Sequence, residues 1–226
     1  MSARDGKQMI WTNLALSADD QLRQRVAWAL SQIIVVSADG VGAGAETEKF
    51  VNYYDIYVRH AFGNYRNVLR EVSYSPVMAQ MLSYLNSRSL ANMLKSTGNE
   101  VFPDENYARE LMQLFTIGLF KLNMDVTHVL KEDGQPAASY DNDAIITFAR
   151  VWTGFQRQSQ RGNIEMQNGD KSANNIDPMK IRPDYHDAFP KADTLGGYLG
   201  DTTPLCADLA RSKSFLKEGA EYRYLG

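Results

Sequence analysis

Glu110 is the carboxylate of this sequence with the most suggestive neighbours. Asn106 stands four residues before it and Gln113 three residues after, spacings that share one face of an α-helix. A carboxylate flanked by orienting amides is one way to build a general base. Arg109 and His60 join Asn106 and Gln113 as candidate binding residues. The same stripe has a plainer account. Glu110 would be a buried carboxylate neutralised by an arginine such as Arg25, Arg59 or Arg150. The guanidinium fork suits that role because it can grip a carboxylate through two parallel hydrogen bonds.

The second constellation is His186-Asp187, within Asp184-Tyr-His-Asp187. Histidine and carboxylate are acid–base partners and metal ligands in principle. With Glu110 they form the candidate catalytic set: Glu110, His186 and Asp187. Adjacent residues of an extended segment point to opposite faces, however, and rarely seize one ion together. The alternative is an anchor in which His186 hydrogen-bonds the helical body and pins the tail.

Other polar residues have simpler roles. His60 closes a helix, where the negative end of the helix dipole favours it. His128 falls in a polar loop and should be exposed. The three histidines include no pair spaced as ligands on one helix face. Asp104-Glu105 and Asp141-Asn-Asp143 suit helix N-termini and lie in no EF-hand frame. Gly40-Val-Gly-Ala-Gly44 follows a helix without a preceding strand, so it reads as a loop rather than a phosphate cradle. No nucleophile elbow is present. No metal ligand is assigned, and whether a cofactor is used stays open.

The elements that must position these residues are mostly helical. Hydrophobic residues make up 44% of the 226 and charged residues 23%, the usage of a globular chain. A net charge of −3 gives no reason to expect a nucleic-acid groove. No apolar run is long enough to span a membrane, and no signal peptide is visible. The single cysteine, Cys206, excludes an internal disulfide.

Helical periodicity predicts about seven helices within residues 5 to 154. Met9, Ile10, Leu14 and Leu16 open the first, and Ser17 and Asp19 offer caps for the second. Leu22, Val26, Ala29, Leu30 and Ile33 line the second, whose buried end continues to Val36. Residues 46–61 form the third, closed by Gly63 in a left-handed conformation. Asn64 caps the fourth, and Ser75-Pro76 starts a fifth that runs to Leu85. Residues 86–102 read as a long loop. Pro103 begins a sixth helix, stopped by Gly118, and residues 121–139 read as an insertion-like loop. Asp141 caps a last helix through Trp152, closed by Thr153-Gly154. The tyrosines of residues 53–84 read as core-edge side chains with wet hydroxyls, or as sugar-stacking groups. The fold class is mainly α: a compact multi-helix bundle over residues 1–155, then a loop-rich irregular wrap over 156–226 of the same domain.

Three stretches together resemble one family. They are Arg25-Val-Ala-Trp-Ala-Leu-Ser-Gln-Ile-Ile-Val-Val-Ser37, Arg59-His-Ala-Phe-Gly-Asn-Tyr-Arg-Asn-Val-Leu69 and Pro103-Asp-Glu-Asn-Tyr-Ala-Arg-Glu-Leu-Met-Gln-Leu-Phe-Thr-Ile-Gly118. Ala149-Arg-Val-Trp-Thr-Gly-Phe155 follows the third. In this order they are similar to the domain-of-unknown-function 1800 family. The resemblance implies a longer protein, with parts of the same chain missing at both ends. It implies an extracellular or cell-surface setting, because many bacterial members carry export signals. The tail from Phe215 looks more like long members from eukaryotic algae and water moulds. The resemblance brings no established activity. Many relatives have histidine where this chain has Phe115, so a role for that histidine would be lost here.

Two functions follow as expectations. One is a secreted or surface-associated helical scaffold or interaction module, its partner a protein or polysaccharide left open. The other is a hydrolase-like or metal-assisted enzyme using Glu110 with His186 and Asp187.

Overall fold

The computed structural model describes residues 3–37, 41, 47–161 and 174–194. Eight α-helices run through these residues: α1 Ala3–Ser17, α2 Gln21–Ile33, α3 Thr47–Arg59, α4 Tyr65–Tyr74, α5 Pro76–Met81, α6 Leu90–Thr97, α7 Asn106–Gln113 and α8 Asn142–Ala149. A 3-10 turn, Arg150–Trp152, extends α8, and two short strands, β1 Phe155–Gln156 and β2 Lys180–Ile181, pair antiparallel. The mainly α class is what the periodicity predicts. Cys206 and most of the glycine-rich stretch after Asp39 lie outside the described residues.

The chain separates into two compact units, each built from two stretches of sequence. The first takes Met1–Leu85 and Phe155–Ile181, and the second takes Asn86–Gly154 and Arg182–Gly226.

In the first unit α3 is the central element, packed against α1, α2, α4 and α5. Its buried side carries Tyr53, Ile56 and Tyr57. Burying a tyrosine requires a partner for its hydroxyl. The Tyr57 hydroxyl donates to the Ile34 carbonyl at 2.7 Å and lies 2.8 Å from the Tyr53 hydroxyl. Tyr84 is also fully buried, with its hydroxyl on the Ser73 carbonyl at 2.8 Å. These three tyrosines are therefore core members tied to backbone, not core-edge groups with wet hydroxyls. The β1–β2 pair belongs to this unit, and Phe155 on β1 packs edge-on against Tyr74 and Tyr84.

Caps were well signalled. The Asn64 side chain accepts from the Arg66 N–H, Ser75 accepts from the Val77 N–H with Pro76 in the first turn, and Asp141 accepts from the Ala144 N–H. Several other expectations fail for identifiable reasons. Asp20, not Ser17 or Asp19, occupies the N-cap of α2 and makes no side-chain cap bond, while Ser17 bonds back to the Asn13 carbonyl. The face that α2 turns inward centres on Ala27, with Val26 and Leu30 half-buried beside it, and Arg23 and the backbone of Gln24 hydrogen-bond to α3 through Val58 and Tyr54. That rotation leaves Leu22 71% exposed and Ile33 51% exposed. The helix stops at Ile33, and Ile34 is buried beyond it as the acceptor for α3 tyrosines. Gly63 is not among the glycines with positive φ; its N–H closes a turn onto the His60 carbonyl. The fifth helix ends at Met81, where Ser83 takes a positive φ of 63°.

In the second unit α7 packs against α8, burying Tyr107, Ala108, Leu111 and Met112 with Ile145 and Ala149. Trp152 stands edge-on to Tyr107 and Phe148. Residues 86–102 are not all loop: they contain α6. Ser89 caps it by accepting from the Asn92 N–H, and Gly98 closes it at φ 73°. None of its residues is fully buried, although Leu90, Met93 and Leu94 share one face at helical spacing. Residues 120–138 form a ribbon held by antiparallel bridges between Phe120 and Ala138, Leu122 and His128, and Leu130 and Pro136. Among the described residues no helix is long and apolar enough to cross a membrane.

Candidate functional site

The second unit brings His186 and Asp187 back onto the end of α8. Gly154 makes the approach possible. Its φ is +81°, and a Cβ there would sit 2.8 Å from the Arg182 carbonyl oxygen and 2.9 Å from the His186 nitrogen. Only glycine fits such a conformation at so close a backbone contact. The Gly154 carbonyl in turn accepts from the Arg182 N–H at 2.8 Å.

Asp187 is the most heavily engaged carboxylate of the site. Arg150 grips it with Nε at 3.1 Å from Oδ2 and Nη2 at 2.8 Å from Oδ1. Lys191 Nζ lies 3.4 Å from Oδ1 and also donates to the Asp187 carbonyl. The Phe189 N–H donates to Oδ1 at 3.0 Å, and the Asp187 N–H donates to Thr153 Oγ1 at 2.8 Å. The Asp187 side chain is only 7% exposed. Burial by itself would raise the carboxyl pKa. The hydrogen bonds and charge of Arg150, the charge of Lys191 and the Phe189 N–H outweigh it, and the pKa falls below the ordinary carboxylate value. Burial pushes the Lys191 ammonium down, against the pull of Asp187.

His186 is held by one nitrogen. Nδ1 lies 2.8 Å from the Thr153 carbonyl oxygen, which can only accept, so Nδ1 carries the proton. In the neutral ring Nε2 is then the open acceptor, and it has no hydrogen bond or ion pair among the described residues. His186 and Asp187 line a cavity of about 620 Å³ with Ser89, Asn92, Lys95 and Arg182. Tyr185 on its wall is flanked by Arg88 and Arg182, each 4.2 Å from the ring centroid. Asn92 fixes the wall by donating to the Asp184 carbonyl at 2.9 Å.

The α7 residues are arranged differently. Glu110 is half-buried and does not line that cavity. Its carboxylate makes no ion pair among the described residues; its backbone carbonyl accepts from the Leu114 and Phe115 N–H groups. Arg109 pairs with Glu105 at 3.0 Å, one helical turn away. Asn106 is exposed, and its N–H donates to Asp104. Gln113, half-buried, is the last residue of α7. Tyr140 feels both Arg109 and Glu110; burial, first, raises its pKa. Phe115 is buried. His128 is exposed and tilts against Phe120.

His60 lies in the first unit and has a specific partner that sequence reasoning missed. Its Nε2 is 2.6 Å from Glu71 Oε1, and Arg59 Nη2 is 2.5 Å from Glu71 Oε2. The arginines proposed for Glu110 are thus otherwise occupied: Arg59 by Glu71, Arg150 by Asp187, and Arg25 by the Ala15 carbonyl. Burial alone would raise the Glu71 pKa; hydrogen bonds and charge from Arg59 and His60 lower it below the ordinary value. The sequence held a signal for this pair, since Arg59-His60 closes one helix and Glu71 sits on the next. Lys191, four residues after Asp187, was the other missed partner.

Among the described residues no group of three or more His, Cys, Asp or Glu side chains is placed to hold a metal ion. No curated protein and no solved structure matches the chain. The family model described as Protein of unknown function (DUF1800) matches residues 2–207, and the chain belongs to that family.

Proposed function

We propose that this chain is a scaffold or interaction module of a larger protein, secreted or held at the cell surface, rather than a catalyst built on Glu110, His186 and Asp187. The observation that carries this reading is the commitment of Asp187. Its two oxygens face Arg150, Lys191 and the Phe189 N–H, and its neighbour His186 is bound to the Thr153 carbonyl. A carboxylate gripped in this way is a poor proton acceptor and a good anchor. Glu110 adds nothing to that cavity, because it does not line it. The surface setting rests on the family resemblance alone.

The enzymatic alternative draws on one observation: the open Nε2 of His186 beside a cavity of about 620 Å³. One experiment separates the two. The full-length protein is purified without chelators, its metal content measured, and its hydrolysis of ester, phosphate and glycoside model substrates compared with the His186→Ala and Glu110→Ala variants. A scaffold gives no stoichiometric metal and no turnover that either substitution removes. Turnover abolished by His186→Ala in a protein that keeps its helical circular dichroism overturns the scaffold reading.

A further inference from the structure

A cavity of about 700 Å³ in the first unit carries a charge pattern that the scaffold reading does not use. Arg59, Arg70 and Arg161 line it together with the carboxylates of Glu71 and Asp177. Two of the guanidiniums are fixed in place. Arg59 is held by Glu71 at 2.5 Å, and Arg161 by Asp177 at 2.6 Å. Asp177 is itself set by Asn174, a fully buried residue. The Asn174 amide donates to Asp177 Oδ2 at 2.7 Å and to the Ser159 carbonyl at 3.0 Å, while its oxygen accepts from the Ile176 and Asp177 N–H groups. This wall is built from the core outward. Glu71 is likewise clamped from the other side by His60 at 2.6 Å.

Arg70 is different. It is exposed, and it makes no ion pair or hydrogen bond among the described residues. Among the described residues, three guanidiniums against two carboxylates leave the lining one positive charge in excess, in a chain whose net charge is −3. Glu71 and Asp177 neutralise two of the three, so the excess charge is that of Arg70, and the concave shape concentrates its field. Guanidinium groups match the oxygens of carboxylate and phosphate groups in geometry as well as charge. Asn52 and Tyr74 add polar groups to the same lining. The volume is that of a site for a small organic ligand.

We propose that this cavity binds the oxyanion group of a small molecule, a phosphate or a carboxylate, with Arg70 supplying the free guanidinium and Arg59 and Arg161 the pre-positioned ones. The site belongs to the first unit and does not depend on the scaffold reading of His186 and Asp187. The test uses inorganic phosphate and citrate as probes, titrated into the purified full chain at constant ionic strength. Phosphorus-31 line broadening and titration calorimetry read the binding. Saturable binding of either probe is expected, weakened about tenfold or more by Arg70→Ala, the loss of a charge-assisted contact. Phosphate binding without citrate binding identifies a phosphate ligand, and the reverse identifies a carboxylate. Arg70 pairs with nothing in the described residues, so the variant should keep the wild-type melting temperature. Arg161→Ala, checked the same way, gives the second reading. No saturable binding of either probe, or equal binding by wild type and both variants, overturns the proposal.

Discussion

Each of the two units holds a histidine, a carboxylate and an arginine close together, and the two trios are used in opposite ways. In the second unit Asp187 is buried, gripped by both nitrogens of the Arg150 fork and backed by Lys191. Its histidine neighbour turns to a backbone carbonyl. In the first unit Glu71 is 38% exposed and shared between Arg59 and His60 at the edge of an open cavity. The same residue types therefore make a structural clamp in one place and part of a solvated, charge-lined cavity in the other. Burial decides between them. A buried charge must be fully paired, whereas a half-exposed one is screened by water and leaves part of its arginine partner's field open to the cavity.

The comparison is most sharply tested by removing the buried carboxylate. Asp187→Asn should cost about 3–5 kcal/mol, because it leaves Arg150 and Lys191 uncompensated in a buried site. Urea unfolding monitored by circular dichroism reads this; a loss below about 1 kcal/mol would mean that the clamp is worth no more than a surface pair. Gly154→Ala comes next. The positive φ alone costs about 1–3 kcal/mol, and the close contact with the Arg182 carbonyl and His186 nitrogen adds to it. Its unfolding midpoint should fall while the m-value stays unchanged. Ser89→Ala, which removes the cap of α6, should cost about 1 kcal/mol. Hydrogen exchange should rise in residues 90–97 first. Glu71→Gln should cost least, under about 1 kcal/mol, since its pairs are screened by solvent.

Acid titration sharpens the same contrast. Both carboxylates have folded-state pKa values below the ordinary range. Each therefore contributes stability that is fully present above the unfolded carboxylate pKa and is lost as pH falls through the folded value. The stability gap between wild type and Asp187→Asn should close as pH drops through that depressed value. The gap for Glu71→Gln should close in the same direction but from a much smaller height. A gap for Asp187→Asn that stays constant from neutral pH to well below the ordinary carboxylate range would show that its cost is not electrostatic.

Much of the local structure could be read directly. Asn64, Ser75-Pro76 and Asp141 announce helix starts through groups that bond within two or three residues, and they do so in the fold. Gly118 and Gly154 announce chain reversals and take the positive φ that only glycine adopts easily. Helix α6 escaped because its apolar stripe, Leu90, Met93 and Leu94, spans little more than one turn among polar residues, although Ser89 and Gly98 mark its ends. The face of α2 escaped because hydrogen bonds from Tyr54 and Arg23 set its rotation, against its leucine and isoleucine pattern. Of the candidate site, His186 as an anchor was foreseen in kind, but its acceptor was not. Thr153 lies 33 residues away in sequence, and no spacing rule reaches that far.

The amino-acid sequence by itself determined the mainly helical class, the starts of α4, α5 and α8, the family, and the residues with the chemistry to form a clamp or a site. Those follow from interactions between near neighbours along the chain, whose geometry is nearly independent of the rest of the molecule. Only the tertiary structure decided which arginine meets which carboxylate. Arg150 took Asp187, Arg59 took Glu71, and Glu110 was left without an arginine among the described residues. Charge pairing is non-directional in sequence, every arginine is chemically eligible, and the choice is made by which backbones the packing of the core brings within a few ångströms.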